Sequence, residues 1–359
     1  MTADFLIIGG GIAGVSAAAR LSELGTVTLL EGEDHLAYHT SGRSAALYEP
    51  RYGLKPVVEL SLAAEDYLRT AHGGVLSPRG MMVVAGPEEG ESFRQDCAGF
   101  GLKEISVDEA RAIVPILNPE TVARTAIADH AWDIDTDLLI QNFAREARGR
   151  GAEILTGRRV TTLSRVDGAW RAATASEAYT GRILVNAAGA WADLVAGMAG
   201  ARPLGLTPYR RSMARIPAPG GLNISSWPMI FGTGETWYAK PDAGALIVSP
   251  AEEHAMEPHD AWADDMVLAE GLSRYEARVT TPVTRLLASW AGLRTFAADR
   301  VLVIGPDPDL PGFFWLAGQG GYGFQTSAAA SRLAADLLGS RKPEIAAATV
   351  AALSPARFR

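Results

Sequence analysis

Cysteine is almost absent from this sequence. Cys97 is the only cysteine among 359 residues, so neither an intrachain disulfide nor a cluster of cysteine metal ligands can form. Histidine is also scarce, and none of the six histidines stands at a spacing typical of metal ligands. The sequence therefore predicts no metal site, and its low thiol content is compatible with a reducing cytoplasm.

Long apolar runs and basic runs are missing as well. No stretch of about 20 uninterrupted apolar residues is present, which predicts no transmembrane segment. The apolar N-terminus carries Asp4 and lacks the basic region of a signal peptide. A net charge of −8 without a basic block predicts no nucleic-acid partner. We expect a cytoplasmic protein, and a peripheral contact with a membrane stays compatible with the sequence.

The N-terminal segment, residues 5–31, is the most informative part of what is present. An apolar run, Phe5–Ile8, leads into Gly9-Gly10-Gly11-Ile12-Ala13-Gly14, which is followed by an alanine-rich helical pattern. A second apolar run, Val27–Leu30, ends at Glu31. Strand, glycines, helix, strand and acid in this order form the dinucleotide-binding fingerprint. The sequence therefore predicts a bound dinucleotide.

The residues of the fingerprint have separate roles. Gly9 permits a tight turn, Gly11 lets a pyrophosphate approach the backbone, and Gly14 lets the helix pack closely on the strand. The amides that open the helix, together with its dipole, form an anion site. The Glu31 carboxylate can accept hydrogen bonds from both hydroxyls of an adenosine ribose.

Three further segments favour a flavin over a nicotinamide dinucleotide. Thr40-Ser41-Gly42-Arg43-Ser44 offers hydroxyls, a guanidinium and bare amides for a second phosphate and a ribityl chain. Asn186–Gly189 ends a buried apolar run in small residues, so a cofactor can pass close to it. Gly318–Thr326 places a glycine turn at a helix start, which suits the electron-rich pyrimidine edge of an isoalloxazine ring. A nicotinamide enzyme has no need of this third element, so the sequence predicts FAD.

Taken in order, these segments resemble the D-amino-acid oxidase-like FAD oxidoreductases, a family that includes glycine and sarcosine oxidases. Within that family the chain is most similar to the bacterial D-arginine dehydrogenases. The matching segments run from Gly9 to Ala329: GGGIAG, HTSGRSAA, LSPR, DIDTDLL, VNAAGAW, RPLGL, RRS, YAKPDAG, WAGLR and GQGGYGFQTSAA. The resemblance implies noncovalent FAD, hydride transfer from the substrate Cα–H to flavin N5, and an imino acid product that hydrolyses to a 2-keto acid and ammonia.

The expected fold class is α/β, with a Rossmann-like FAD-binding domain of the glutathione-reductase type and an interleaved, sheet-rich α+β substrate domain. The cofactor segments are spread along the chain with strand-rich stretches between them. We assign residues 1–75, 138–202 and 291–359 to the FAD-binding domain, and residues 76–137 and 203–290 to the substrate domain. Among single elements, Ala261–Tyr275 has a helical pattern, and Tyr38–Tyr52 is predicted to form a loop followed by a short helix.

The residues expected to contact FAD fall in the glycine loop, the following loop and the small-residue segments. His39, in the second of these, suits either a phosphate contact or a structural one. The full set is Gly9, Gly11, Ile12, Ala13, Gly14, Glu31, Ser41, Gly42, Arg43, Ser44, Ala45, Val160, Ala188, Gly189, Trp191, Gly320, Gly321, Tyr322, Gly323, Gln325 and Thr326.

A flavin enzyme that oxidises amino acids must hold the substrate carboxylate rigidly, and planar guanidinium groups do this best. The resemblance implies that Arg211 and Arg294 clamp the carboxylate and that the hydroxyls of Tyr238 and Tyr52 assist. It also implies that the backbone carbonyl of Gly321 accepts from the substrate amine. The competing interpretation is structural: a surface-strand arginine, an ion pair, and two tyrosines in ordinary packing.

Three positions depart from the D-arginine dehydrogenase pattern. Leu47 replaces a histidine beside the substrate, Met81 replaces a glutamate that pairs with the substrate guanidinium, and Glu49 replaces a threonine. Leu47 and Met81 favour an apolar or flexible side chain. Glu49 either restores the missing charge from another wall or is a solvated loop residue.

The sequence thus predicts FAD-dependent oxidative deamination of D-amino acids. A second possible substrate is a secondary amine, such as a glycine, sarcosine or proline derivative, or a 2-hydroxy acid. A flavoprotein subunit that needs a partner chain, or an FAD-binding protein without catalysis, is also compatible with these motifs. The expected partner is a small amino acid, and the unknown electron acceptor is expected to be a quinone or another carrier rather than NAD.

Overall fold

The computed structural model describes residues 2–359, which contain nine α-helices and twenty strands. The helices are α1 (Ile12–Leu21), α2 (Lys55–Thr70), α3 (Gly90–Phe100), α4 (Val107–Ile113), α5 (Thr136–Gly149), α6 (Ala192–Ala199), α7 (Asp265–Glu276), α8 (Gly323–Leu338) and α9 (Ala347–Leu353). The strands are β1 (Thr2–Ile8), β2 (Val27–Leu30), β3 (Leu47–Tyr48), β4 (Leu76–Pro78), β5 (Met81–Ala85), β6 (Lys103–Ile105), β7 (Arg124–Ala128), β8 (Trp132–Ile134), β9 (Glu153–Leu155), β10 (Thr162–Val166), β11 (Ala169–Ala173), β12 (Ala178–Asn186), β13 (Thr207–Pro217), β14 (Met229–Gly232), β15 (Tyr238–Asp242), β16 (Ala245–Ser249), β17 (His254–Ala255), β18 (Ala288–Phe296), β19 (Val303–Pro306) and β20 (Phe313–Ala317).

The first sheet has the strand order β10-β11-β12-β1-β2-β9, with β20 paired to β12 and β19 paired to β20. Its central strands β12, β1 and β2 are parallel. Ile8 stands beside Leu30 on one side and Asn186 on the other, so the three strands end at one edge. Strand β2 follows β1 along the chain on one side, whereas β12, on the other side, comes much later. Because the strand order changes direction at β1, ligands are expected at this edge.

Small residues let the helices of the first sheet pack closely. Helix α1 packs against α5 and α8, and α8 packs against α2. The buried alanines Ala17–Ala19 of α1 and Ala328–Ala330 of α8 belong to the same apolar core as the β1 residues Phe5 and Ile7. Close packing of this kind holds the start of α1 rigidly against the strand ends.

The second sheet has the order β17-β13-β16-β15-β14-β5-β7-β6, with β18 paired to β13. It is antiparallel except for the parallel pair of β14 and β5. Its strands come from two separate parts of the chain, 81–128 and 207–296. The predicted boundary between residues 290 and 291 falls inside β18, which belongs to this sheet along its whole length. A small third sheet, β3-β8-β4, completes the strands.

Two of the predicted elements differ from the structure. Helix α7 begins at Asp265 rather than at residue 261, because Asp264 caps it by accepting from the amides of Met266 and Val267. The stretch from Tyr38 to Tyr52 forms a 3₁₀ turn at Thr40–Arg43 and the short strand β3, where we expected a loop and a later helix. Within residues 2–359, no helix is both long and apolar enough to cross a bilayer.

Candidate active site

Two connected cavities open at the edge where β1, β2 and β12 end. The dinucleotide groove, of about 1080 Å³, is lined by the glycine loop, Glu31, Val160 and Trp191. The central cavity, of about 1460 Å³, runs from Ile12 towards the second sheet. Both include residues Gly11, Thr40, Ser41, Ala187 and Gly189. A dinucleotide in the groove would therefore lie directly beside a small ligand in the central cavity.

Two positions of the glycine loop leave no room for a side chain. Gly9 has a φ of +110°, and a Cβ there would lie 2.4 Å from the carbonyl oxygen of Ala187. A Cβ on Gly14 would lie 1.9 Å from the carbonyl oxygen of Gly9. The loop therefore forms a cradle of bare backbone between β1 and α1, as an approaching pyrophosphate requires.

Glu31 lies in the dinucleotide groove at the end of β2. Its Oε2 accepts from the amide of Gly10 at 2.6 Å, and its Oε1 accepts from the amide of Glu33 at 2.8 Å. An ionised carboxylate has about four acceptor positions, so two remain for donors such as ribose hydroxyls. The same two hydrogen bonds fix the carboxylate beside the glycine loop.

The start of α1 offers amides to an anion. Gly11 is its N-cap residue and, as a glycine, has no side chain that could cap the helix. The hydroxyl of Ser41 lies at the same place and accepts from the amide of Ile12 at 3.1 Å. Because the first helical amides have no partner inside the helix, this end of α1 fits a phosphate.

Arg43, predicted to contact the cofactor, lines the central cavity and also makes several hydrogen bonds within the protein. Its Nη1 donates to the carbonyl oxygens of Ala261 and Ala291 at 2.8 and 3.0 Å, and its Nη2 donates to Asp260 at 2.5 Å. The Trp290 indole donates to the Arg43 carbonyl at 3.2 Å. The side chain thus cross-links the loop to β18 through three of its five N–H donors.

Four predicted cofactor residues, Gly14, Gly42, Tyr322 and Thr326, do not line either cavity within the part of the chain that is described. A Cβ on Gly42 would lie 2.3 Å from the Ala37 carbonyl oxygen. The Thr326 hydroxyl donates to the Tyr322 carbonyl at 2.8 Å, and the Tyr322 ring packs between Tyr52 and Phe296. Together with Gly14, these residues support the backbone and side chains around the cavities by close packing and hydrogen bonding.

Of the two contacts expected for His39, with a phosphate or within the protein, the structure shows the one within the protein. Its Nε2 lies 3.1 Å from Glu33 Oε1, and its ring lies 4.5 Å from that of Trp191. Both His39 and Trp191 line the dinucleotide groove. The remaining predicted cofactor residues line one or both cavities: Gly9, Gly11, Ile12, Ala13, Glu31, Ser41, Ser44, Ala45, Val160, Ala188, Gly189, Gly320, Gly321, Gly323 and Gln325.

All eight residues proposed for the substrate site line the central cavity: Leu47, Glu49, Tyr52, Met81, Arg211, Tyr238, Arg294 and Gly321. The pairing of β13 with β18 brings the two arginines together. Arg294 stands opposite Tyr209, and Arg211 lies two residues further along β13. Residues two apart on a strand share a face, so both arginines project to the same side of the sheet.

Arg211 is 4% exposed. Its Nη2 donates to Glu253 at 3.3 Å, whereas its buried Nε has no hydrogen-bond partner among residues 2–359. A buried donor without a partner is costly, and a guanidinium fork matches the two oxygens of a carboxylate. This edge of Arg211 can therefore receive an anion.

Arg294 is surrounded by polar groups of the cavity. Its Nη1 donates to the Tyr52 hydroxyl at 3.5 Å, and the Tyr52 hydroxyl donates to Glu235 at 3.3 Å. Burial opposes the charge of Arg294, but Tyr52, Tyr238 and Glu235 outweigh it and raise the pKa of Arg294. Burial and the charge of Glu235 raise the pKa of Tyr52, so its hydroxyl stays a donor.

Glu235 is a polar residue of the site that the sequence analysis did not predict. It lines the central cavity beside Tyr52 with a φ of +53°. No motif or periodic pattern in the sequence marks it, since it follows Gly234 in an irregular turn before β15. Phe100, Met213, Met229 and Phe231 were also not predicted and add an apolar wall.

That wall surrounds Met81. Met81 is 4% exposed and pairs in register with Met229, while Phe231 stands opposite Tyr238. The Tyr238 hydroxyl donates to Met213 Sδ at 3.3 Å. Thioether and aromatic groups make this part of the cavity adaptable and apolar.

Glu49 is not a solvated loop residue, contrary to one of the two expectations. It is 3% exposed, and its Oε1 accepts from the Arg51 amide at 2.9 Å. Its Oε2 lies 3.5 Å from His130 Nε2. Burial raises the pKa of Glu49 to about 7, although the Arg51 amide acts in the opposite direction. Its loop buries it because the Glu49 amide and the Tyr52 carbonyl both bond to Gln325 of α8.

Comparison with known proteins agrees with this architecture. The sequence model of the family described as FAD dependent oxidoreductase matches residues 4–337. The chain belongs to this family. The predictions of the family, the fold class and FAD as the cofactor are confirmed, whereas the particular similarity to the D-arginine dehydrogenases is not shown.

Several relatives and structures are similar to this FAD-dependent oxidoreductase. Glycerol 3-phosphate oxidase of Mycoplasma pneumoniae is 28% identical over 258 residues, which cover 65% of this chain and 67% of that protein. The bifunctional protein MnmC of Burkholderia mallei is 26% identical over 96% of this chain, which spans only 52% of MnmC. Glycine oxidase from Geobacillus kaustophilus superimposes with a TM-score of 0.83 at 20% identity, covering 98% of both chains. Mycoplasma pneumoniae L-alpha-glycerophosphate oxidase with FAD bound superimposes with a TM-score of 0.83 at 24% identity, covering 96% of this chain and 97% of that one.

Proposed function

We propose that this enzyme catalyses the oxidative deamination of D-amino acids. One observation carries the proposal: Arg211 and Arg294 project from neighbouring strands into a cavity that continues into the dinucleotide groove. Two guanidinium groups on one wall suit a carboxylate. The same carboxylate would then be held at a fixed place relative to the bound cofactor.

Each polar group of the central cavity receives one task in this proposal. Arg211 and Arg294 bind the substrate carboxylate, and the hydroxyls of Tyr238 and Tyr52 add donors. The backbone carbonyl of Gly321 accepts a hydrogen bond from the substrate amine. With both ends of the amino acid held, the Cα–H bond has one orientation, which lowers the entropic part of the barrier.

When bound, FAD supplies an acceptor for the hydride that leaves Cα. The amine must be neutral at that moment, and its proton passes to water or a weak base, so a strong protein base is not needed. The product C=N bond is hydrolysed by water to a 2-keto acid and ammonia. The protein residues contribute binding, orientation and exclusion of water. An external carrier, proposed to be a quinone or similar compound, then takes the two electrons.

The side chain of the substrate is proposed to be apolar and flexible. Leu47, Met81, Met229 and Phe231 line the cavity near the arginines. One Glu49 oxygen accepts from the Arg51 amide, whereas Oε2 lies 3.5 Å from His130 and has no hydrogen-bond partner among residues 2–359. The apolar wall favours a leucine-like or methionine-like substrate over an arginine-like one, so the resemblance to the D-arginine dehydrogenases would not extend to the side chain.

A secondary amine or a 2-hydroxy acid is the second candidate. The same pair of arginines would hold a carboxylate beside either group. Structures of the same fold carry the names L-proline dehydrogenase and iminodiacetate oxidase, at 21% and 19% identity. These names support testing secondary amines alongside primary ones.

The deciding experiment is anaerobic mixing of the FAD-loaded protein with matched D- and L-amino acids, sarcosine and 2-hydroxy acids. Loss of the oxidised-flavin absorbance band is followed in each mixture. We expect fast bleaching by D-leucine or D-methionine and slower bleaching by D-arginine. Bleaching by sarcosine, proline or hydroxy acids alone would replace the main proposal with the second. No bleaching by any of them would support a missing partner chain or a protein without catalysis.

A further inference from the structure

Arg211 is the inner end of a row of three charged side chains. Its Nη2 donates to Glu253 Oε1 at 3.3 Å. Both oxygens of Glu253 also accept from Arg300 Nη2, at 2.7 and 2.8 Å. The Arg211 side chain is 4% exposed, whereas those of Glu253 and Arg300 are 33% and 41% exposed. The row therefore runs from the cavity to the surface with alternating charge.

The strand register explains why Glu253 reaches Arg211. Strands β13 and β17 are antiparallel, with Arg210 opposite His254. The same register places Glu253 beside Arg211, and side chains at opposite positions share a face. On its other side, Arg211 stands opposite Gly292 of β18, which has no side chain. Arg211 thus has a carboxylate on one flank, whereas on the other flank Thr40 and Arg43 pack over Gly292, whose Cβ would lie 3.5 Å from Thr40 Cα and 3.6 Å from Arg43 Cβ.

Arg300 is fixed independently of Glu253. Its guanidinium lies 4.0 Å from the centre of the Phe296 ring, a cation–π contact. Phe296 in turn packs on the glycine turn, since a Cβ on Gly320 would lie 2.1 Å from Phe296 Cε1. Exposed ion pairs contribute little to stability. We therefore expect the Glu253–Arg300 pair to matter through its effect on Arg211 rather than through folding stability.

We propose that Glu253 and Arg300 are positioning and specificity-determining residues of the anion site at Arg211. Glu253 holds Arg211 and takes part of its charge, while Arg300 draws Glu253 outwards and prevents full pairing with Arg211. The Nε edge of Arg211 then stays open in the described part of the chain. This inference rests on the proposed function, in which Arg211 binds the substrate carboxylate.

The charge balance of the site favours an anion with a single charge. Besides Glu253, which pairs with Arg211, the Glu235 carboxylate lines the central cavity and accepts from the Tyr52 hydroxyl that contacts Arg294. A carboxylate meets two guanidinium groups whose charge is partly offset, whereas a phosphate dianion meets additional repulsion. The row therefore selects a carboxylic acid over a phosphate ester, although glycerol 3-phosphate oxidase is a relative.

The test measures dissociation constants of acetate and inorganic phosphate by calorimetry on the FAD-loaded protein. Arg300→Gln should weaken acetate binding about tenfold, because Glu253 then pairs fully with Arg211. Adding Glu253→Gln should bring acetate affinity back to within about threefold of the native value, because the loss acts through Glu253. Glu253→Gln alone should tighten phosphate binding more than acetate binding. With substrate, Arg300→Gln should raise KM and leave kcat unchanged.

Arg94→Ala is the control, since Arg94 forms an exposed ion pair with Glu91 and lines neither cavity. It should change neither constant. Equal weakening of acetate in Arg300→Gln and in the double variant would overturn the inference, because Arg300 would then act without Glu253. An Arg294→Ala variant that binds acetate normally would instead count against the proposed function, so the two failures are distinguishable.

Discussion

Gly321 and Arg294 lie in direct contact, so that a Cβ on Gly321 would stand 3.1 Å from Arg294 Nη1. The glycine turn before α8 and the end of β18 therefore meet at the wall of the central cavity. Arg294 is held there by the Tyr52 hydroxyl at 3.5 Å. The Arg294 guanidinium contacts both the turn and Tyr52 at the cavity wall. We therefore expect its removal to change the site more than the fold.

Replacing Arg294 by alanine should keep FAD bound but lower kcat/KM by about 100-fold or more. The substrate carboxylate would be left half-paired in a buried site, which costs about 3 kcal/mol of transition-state stabilisation. Steady-state kinetics with the best substrate and the flavin content of the purified variant check this. Arg285→Ala, at an exposed arginine, should behave as native. Unchanged kcat/KM in Arg294→Ala would remove Arg294 from the site.

Replacing Met81 by glutamate should shift the substrate preference towards basic side chains. Met81 is buried among apolar groups, so an unpaired carboxylate there is costly until a cationic substrate group pairs with it. We expect the ratio of kcat/KM for D-arginine over D-leucine to rise at least about tenfold. Met81→Gln, similar in size but neutral, separates charge from polarity. An unchanged ratio in Met81→Glu would mean that position 81 does not contact the substrate side chain.

Glu49 should make stability depend on pH. Its pKa is about 7 in the folded protein, against an ordinary value of 4.5, so the folded state holds the extra proton between these values. Stability therefore falls as pH rises from about 4.5 to about 7, by up to about 3 kcal/mol, and levels off above that.

Glu49→Gln should remove this dependence and be the more stable protein above a pH of about 7. Denaturant unfolding of both FAD-loaded proteins across this pH range gives the difference directly. Glu88→Gln, at an exposed position, should leave the native profile unchanged. A constant difference between native and Glu49→Gln at every pH would show that Glu49 titrates normally. His130 lies 3.5 Å from Glu49 Oε2 and is present in both proteins, so the difference between their profiles reports on Glu49.

Local sequence rules were sufficient for the dinucleotide half of the molecule. The loop from Gly9 to Gly14 and the acid Glu31 are contiguous with the strands that carry them, and short-range sterics dictate their geometry. The confirmed prediction of FAD used three additional segments: the loop Thr40–Ser44, the small residues after Asn186 and the glycine turn near Gly320. The ion pair of Arg43 lay beyond such reasoning, because its partner Asp260 lies 217 positions away.

By itself, the sequence determined the family, the α/β fold and the cofactor, since these depend on backbone conformations that only certain residues adopt. Only the tertiary structure decided which side chains share the central cavity. The register between β13 and β18 puts Arg211 beside Arg294, and packing on Gln325 buries Glu49. Glu235 and Glu253 reach the site through irregular turns and a two-residue strand, whose positions are set by long-range pairing that no local pattern encodes.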